Sequence, residues 1–206
     1  VHHVALQCVI VGSIAAAGLG LPTVNALTGL GTLFTTSEGL LPRMVRLAIP
    51  SLVNHGPTAV LVENPDDGKL LHRIGVAADR IVLVSSSGVD VDRLLPMPEP
   101  EGPVTFAFAG RMLAIKGVRT IVEAFRALHA AGAAARLILA GTPDPLNRTS
   151  LSEKEMRDYA ALPGITWLGH VEDIRTVWEQ AHVAVIASRG GEGVPVSLLE
   201  AAACGR

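Results

Sequence analysis

The sequence predicts an α/β protein built on parallel sheets, and three observations carry that prediction. Apolar runs of four to six residues alternate with stretches of helical period along all 206 residues, the βαβα order of sheets covered by helices. Hydrophobic residues make up 49% of the chain and charged residues only 17%, a balance that fills cores and excludes a disordered chain. In the second half, each of four apolar runs leads into a loop containing Gly, as strands do at the ligand-binding edge of an open parallel sheet.

The uncharged start, residues 4–37, raises a transmembrane helix or a signal peptide, and VALQCVIVGSIAAAGLGLP is nearly long enough to span a bilayer. Gln7 and Ser13 interrupt it, Gly18 and Gly20 punctuate its end, and no basic cluster precedes it. The expectation is therefore a small-residue helix over 5–18 packed on a sheet, then a strand over 22–27 ending in the Gly-rich Thr28-Gly29-Leu30-Gly31. A helix over 40–54 is apolar apart from Arg43 and Arg46. Residues 39–56 either rest on an anionic membrane surface or pack on the sheet with both Arg reaching solvent. A strand at 58–62 leads to a helix over 65–74, started by Asn64 as cap, Pro65 at the first helical position and Asp66 and Asp67 in the first turn. After a strand at 81–84, residues 85–102 turn rich in Ser, Pro, Gly and acids, which reads as an interdomain connection. The expected division is a first domain over 1–90, a linker over 91–103 and a second domain over 104–206. In the second domain the strands are expected at 104–109, 136–140, 165–168 and 183–187, and the helices at 117–131, 151–161, 171–181 and 195–204. Val118, Ile121, Val122, Phe125 and Leu128 form one apolar stripe, closed by Gly132.

Several function classes fall away. A formal net charge of −2 gives no general attraction for nucleic acid. Cys8 and Cys204 make neither a disulfide framework nor a zinc site, which suits a reducing cytoplasm. His2 and His3 point apart in an extended segment, so they suggest no metal site, and His55, His72, His129 and His182 read as ordinary surface or edge residues. Asn147-Arg148-Thr149 matches a glycosylation sequon that a cytoplasmic protein never presents. Val1 in place of Met, and Arg206 directly behind a helical pattern, read as the ends of a fragment of a longer protein.

The strand-end loops hold the candidate chemistry. Gly110-Arg111 and Lys116 lie on a Gly-bounded loop ahead of a helix, where two cations and exposed backbone N–H groups suit a diphosphate. The loop is neither a Walker A sequence nor GxGxxG, and no acid follows at the dehydrogenase spacing, which disfavours a P-loop NTPase or an NAD enzyme. Gly141 opens the next loop, and Gly169, His170 and Val171 form the third. In the fourth, Glu192, Gly193 and Val194 precede a helix that carries Glu200. The two carboxylates could accept hydrogen bonds from a sugar and a ribose; the alternative for Glu200 is a solvated helix face.

GRMLAIKG, GHVEDI and above all EGVPVSLLEAAACGR resemble the nucleotide-binding domain of GT-B glycosyltransferases of family 4, and SGVDVDRL resembles that family's interdomain connection. VNALTGLG and GTPDPLN resemble members that build bacterial O-antigen and capsule repeats on a lipid carrier. The resemblance implies two Rossmann-like domains with parallel sheets, both incomplete here. It implies a retaining hexosyltransferase-type enzyme that takes a sugar from a nucleotide-sugar donor, expected to be UDP-linked, to a lipid-linked or polysaccharide acceptor, with no metal or other cofactor. Arg111 and Lys116 would bind the diphosphate, Glu192 the donor sugar and Glu200 the ribose. The backbone of Gly169 to Val171 would hold the base. Thr28, Gly29 and Gly31 stand on the acceptor side, where relatives carry an active-site His, and the family's first Gly-rich loop and the strand expected after Gly205 are missing. The alternative is a catalytically idle nucleotide-sugar-binding fragment that needs the missing segments or a partner chain. The implied location is the cytoplasm, at the inner face of the plasma membrane.

Overall fold

A computed structural model of the protein describes residues 1–28, 39–86, 88–189 and 193–206. Glu192, Gly29 and Gly31 therefore lie outside the described residues. The chain divides into two compact units, one of Val1–Gly88 with Gly190–Pro195 and one of Val89–Arg189 with Val196–Arg206.

The first unit holds four parallel strands in the order β1 (His2–Val4), β2 (Thr23–Leu27), β3 (Thr58–Val62) and β4 (Ile81–Leu83), with α1 (Leu6–Leu19), α2 (Leu40–Val53) and α3 (Pro65–Arg73) along the chain between them. Right-handed crossovers that always step the same way leave every helix on the same face. Accordingly Val9 of α1, Ile49 and Val53 of α2 and Leu71 of α3 share one core with Leu27, Val60 and Val62. The alternate strand positions Val4, Val24 and Val82 point the other way and are exposed. Asn64 starts α3 as the sequence predicts, its Oδ1 accepting from the Asp67 N–H at 2.8 Å. Beneath α1 the small residues admit a buried polar chain. The His3 ring lies against Gly12, His3 Nδ1 pairs with Asn25 Oδ1 at 2.7 Å, and Ser13 Oγ donates to the same oxygen at 3.3 Å.

The second unit reverses direction. β5 (Val104–Ala109), β6 (Ala135–Ala140), β7 (Ile165–Gly169) and β8 (Val183–Ala184) are all parallel, in the order β7-β6-β5-β8. The chain steps outward from β5 to β7 and returns to the other side of β5, so helices cover both faces. On one face α4 (Val118–Ala130) and α5 (Glu153–Ala160) bury Val118, Ile121, Val122, Phe125 and Met156 against Phe108, Leu137 and Leu139. On the other, α6 (Arg175–Trp178) and α7 (Val196–Ala203) bury Val177, Trp178, Ala201 and Cys204 against Ala107, Ile138 and Ala140. Arg119 of α4 grips Glu155 of α5 through two hydrogen bonds of 2.7 and 3.0 Å.

The expected α/β architecture with two parallel sheets is found, with local differences. β1 falls where no strand was expected; it is three residues long, and its inward position is a polar His3. The helix expected over 171–181 narrows to Arg175–Trp178, because Asp173 accepts from the Arg175 N–H and side chain and holds the preceding residues in a turn. The strand expected over 183–187 pairs only at Val183–Ala184. Leu128, expected on the buried stripe of α4, is exposed at the helix end. The stretch expected as a linker is docked on the second unit. Asp90 accepts from the N–H groups of Asp92 and Arg93, Leu94 is buried beside Trp178, and Arg206 donates to the carbonyls of Met97 and Pro98.

Candidate functional site

The strand order decides where a ligand can sit. Between β5 and β8 the direction of winding switches, and the carboxyl ends of the strands beside such a switch are where open α/β sheets bind ligands. The loop after β5 carries Gly110, Arg111 and Lys116, and the loop after β8 leads to Gly193, Val194 and α7 with Glu200.

Hydrogen bonds between neighbouring loops set this edge. The Gly110 N–H donates to the Ala140 carbonyl at 2.9 Å, the Gly141 N–H to the Gly169 carbonyl at 2.7 Å, and the Met112 N–H to the Thr142 carbonyl at 3.0 Å. The three strand-end glycines are thus brought together. Gly141 has φ +129°, and a Cβ there would run into the Gly110 carbonyl, so only glycine permits this approach. A second tie links the loops that follow β5 and β8. The Arg189 N–H donates to the Ile115 carbonyl at 2.9 Å, and Gly117, at φ +77°, leaves no room for a Cβ beside the Ala187 backbone. Lys116, in a short 3₁₀ turn at Ala114–Lys116, is held at this junction.

The electrostatics agree with the geometry. Lys116 is held below the ordinary lysine range, first by burial and second by the positive charge of Arg111, so the two cations share one neighbourhood. Arg111 Nη1 donates to Asp144 Oδ2 at 2.9 Å, a partner in the GTPDP loop that the sequence reading passed over. Asp144 also organises that loop, its Oδ1 accepting from the Leu146 N–H and its carbonyl from the Asn147 N–H. An Asp flanked by two prolines was the available signal, legible only once the loop was known to run beside Arg111.

Glu200 is half-buried on α7, and burial raises its carboxyl above the usual carboxylate range. His170 is exposed, whereas Val171 packs against the core that contains Trp178. Gly193 and Val194 are half-buried, and the Gly193 N–H donates to the Thr28 carbonyl at 3.3 Å within the first unit. Gly193 also lies against the side chain of Glu63, a neighbour the sequence did not suggest. Among the described residues no group of three His, Cys, Asp or Glu side chains is placed to hold a metal. No helix among them is long and apolar enough to cross a membrane.

Residues 103–206, which hold β5 to β8 and the loops that follow them, match the family model of the glycosyl transferases group 1. The chain belongs to the glycosyl transferases group 1 family. Among curated proteins it is similar to WcaL of Escherichia coli (strain K12), named "Putative colanic acid biosynthesis glycosyltransferase WcaL", at 29% identity over 144 residues, covering 66% of this chain and 34% of the relative. WcaL of Salmonella typhimurium (strain LT2) is 28% identical over the same length. This group 1 chain thus spans about a third of the length of the curated relatives it matches, 34%. Among solved structures, Anabaena HepE in complex with UDP and glucose is similar with a TM-score of 0.78 at 16% identity, covering all of this chain and 57% of that one. The pneumococcal O-GlcNAc transferase GtfA in complex with UDP and GlcNAc follows at 0.66, with 16% identity, covering 94% of this chain and 38% of that one. The fold of the group 1 chain is accordingly that of GT-B glycosyltransferases.

Proposed function

We propose that the protein is a retaining glycosyltransferase that moves a sugar from a UDP-linked donor to a lipid-linked or polysaccharide acceptor in cell-surface glycan biosynthesis. The observation that carries this reading is the junction at the topological switch, where Arg111 and Lys116 meet behind a glycine edge. The solved relatives named for complexes with UDP and a sugar, and the relatives named for colanic acid biosynthesis, support the substrate class.

The mechanism is electrostatic. As the bond from the anomeric carbon to the phosphate oxygen breaks, its electron pair leaves with the diphosphate, and positive charge grows on the sugar ring. Lys116 and Arg111 hold the departing negative charge, and a bound diphosphate offsets the repulsion between the two cations. Asp144 sets the Arg111 guanidinium in its orientation. Glu200 accepts from the ribose hydroxyls, Glu192 contacts the donor sugar, and the backbone of Gly169 to Val171 holds the base. The acceptor hydroxyl attacks from the side of the leaving group and passes its proton to the departing diphosphate oxygen, which retains the anomeric configuration, with Thr28, Gly29 and Gly31 on the acceptor side. The reading assigns no metal and no further cofactor; it places the reaction in the cytoplasm, at the inner face of the plasma membrane.

The test uses a panel of nucleotide-sugars. UDP-sugars are expected to raise the melting temperature of the protein, and Lys116→Ala to remove that shift and to lower transfer by about 2–4 kcal/mol of transition-state stabilisation. Donor binding without transfer by the full-length protein would leave a nucleotide-sugar-binding protein instead of an enzyme.

A further inference from the structure

The carboxyl edge of the first sheet carries polar groups that the donor site does not use. Leu27 pairs with Val62 and Val62 with Leu83, so the residues next in the chain, Thr28, Glu63 and Val84, end neighbouring parallel strands side by side. Such an edge is where open α/β sheets bind ligands. Glu63 is half-buried there, yet among the described residues no group donates to its carboxylate and no cation pairs with it. A carboxylate withdrawn from water normally finds donors in the protein. Gly193 of the same unit reaches this edge. Its N–H donates to the Thr28 carbonyl at 3.3 Å, and a Cβ on it would run into the Glu63 carboxylate. Beyond β4 the Val84 N–H donates to the Val62 carbonyl at 2.8 Å, and the chain then turns at Ser86 with φ +78°, a left-handed conformation uncommon outside glycine. Ser86 Oγ is buried and has no hydrogen-bond partner among the described residues, a second polar group that a ligand at this edge would satisfy.

The charges at this edge narrow what it takes. The residues that follow the strands, Thr28, Glu63 to Gly68 and Val84 to Ser86, include Glu63, Asp66 and Asp67 and neither Lys nor Arg. Lys69 comes next, on α3, and is paired with Asp66 at 3.0 Å. The Asp67 N–H, in the first turn of α3, is already taken by Asn64 Oδ1. A phosphate finds repulsion here and no partner. A carboxylate accepts hydrogen bonds and donates none, and sugar hydroxyls supply what it lacks. We propose that Glu63 accepts hydrogen bonds from the hydroxyls of an uncharged acceptor sugar, so that the protein extends a glycan already begun instead of placing a first sugar on a lipid phosphate. Resting on the transferase reading, the inference makes Glu63 a specificity-determining residue. It orients the acceptor sugar and takes no proton, since the attacking hydroxyl passes its own to the departing diphosphate. The reaction that supplies the substrate is then an earlier glycosyl transfer.

Probes with one tail and different heads test the proposal on the full-length protein. Octyl glycosides ending in glucose, galactose or fucose are compared with octyl phosphate by saturation-transfer NMR, read on the protons of the head and those next to it. A glycoside is expected to bind and octyl phosphate is not. Glu63→Gln keeps the shape and loses the charge, and is expected to weaken the glycoside about tenfold. Glu63→Lys is expected to lose the glycoside and to bind octyl phosphate in its place, an exchange that a merely structural Glu63 would not produce. An unchanged melting temperature of Glu63→Gln, with the same melting shift on adding UDP-sugars, confines the loss to the acceptor side. Equal glycoside binding by Glu63→Gln overturns the proposal, as does octyl phosphate binding as well as the glycosides to the unaltered protein, or no glycoside binding at all. Glycoside binding that depends on Glu63, without transfer from any UDP-sugar, supports the sugar-binding edge and counts against the transferase reading alone. Transfer to a glycoside that Glu63→Gln leaves untouched sinks this inference and keeps that reading.

Discussion

The two units share a plan, a parallel sheet with covering helices, and differ in what their helices show to the outside. In the second unit α4 presents Arg119, Glu123 and Arg126, and α5 presents Glu153, Lys154 and Arg157. In the first, α3 presents Asp66, Lys69 and Arg73 in the same way, but α1 and α2 present Val11, Ile14, Leu40, Met44 and Leu47. Their inner faces are alike, each burying aliphatic side chains against strands. The difference teaches that the fold dictates only the buried half of a helix; the outer half is free to record what the protein touches. Winding differs as well. The first sheet follows chain order, β1-β2-β3-β4, whereas the second reverses around β5 and carries helices on both faces.

The comparison can be broken most forcefully at the second core. Trp178, fully buried between sheet and helices, should cost about 3–5 kcal/mol when changed to Ala. Leu47→Ala on the outer face of α2 should stay within about 0.5 kcal/mol. A denaturant titration of both variants reads the contrast, and equal losses would mean that the α2 face is covered in solution. Next in size is the glycine edge. Gly141→Ala should cost about 1–3 kcal/mol of backbone strain and lower UDP affinity as well, since the loop carrying Arg111 must shift; calorimetry on the variant checks both.

A pH series sharpens the site. Burial raises the Glu200 carboxyl, so its folded-state value lies above its unfolded one. Acidification from neutral protonates it before ordinary carboxylates, those near about 4.3. Nucleotide affinity should therefore fall as pH drops through the raised value, because the neutral carboxyl accepts hydrogen bonds from ribose less well. The stability of the free protein should gain from Glu200 over the same window, since the native state binds the proton more tightly than the unfolded chain. Glu200→Gln should flatten both profiles. The smallest effect expected is at the α4–α5 surface. Arg119→Ala removes a half-exposed pair with Glu155, and thermal unfolding should report a loss of about 0.2–1 kcal/mol.

Much of this was legible locally. The Asn64 cap, the buried positions of α4 and the cation-bearing loop after β5 are patterns of a few neighbouring residues; the structure shows the cap as the sequence predicts it, and the α4 stripe at Val118, Ile121, Val122 and Phe125 but not at Leu128. Other features depend on residues far apart. Asp144 beside Arg111 needs two loops laid side by side by β5 and β6. Gly117 looked like a loop boundary, yet its reason is the Ala187 backbone, seventy positions on. β1 escaped notice because an inward His3 breaks the apolar pattern, and its polar partner Asn25 lies on the next strand. For α2 the sequence left two readings open, a membrane face and a packed helix, and the structure supplies a packed inner face together with an exposed apolar outer one.

By itself the sequence determined where the strands other than β1 and the helices fall, though not the full extent of those near 171–187; it also determined where caps and turns interrupt them and which loops carry charge. These follow from side-chain period and backbone preference over short spans. Tertiary structure alone decided the strand orders, and through them the switch point beside β5, the placing of Asp144 against Arg111, and the outward side of α1 and α2. Those depend on the handedness and direction of each crossover and on packing between distant segments, which no local pattern encodes.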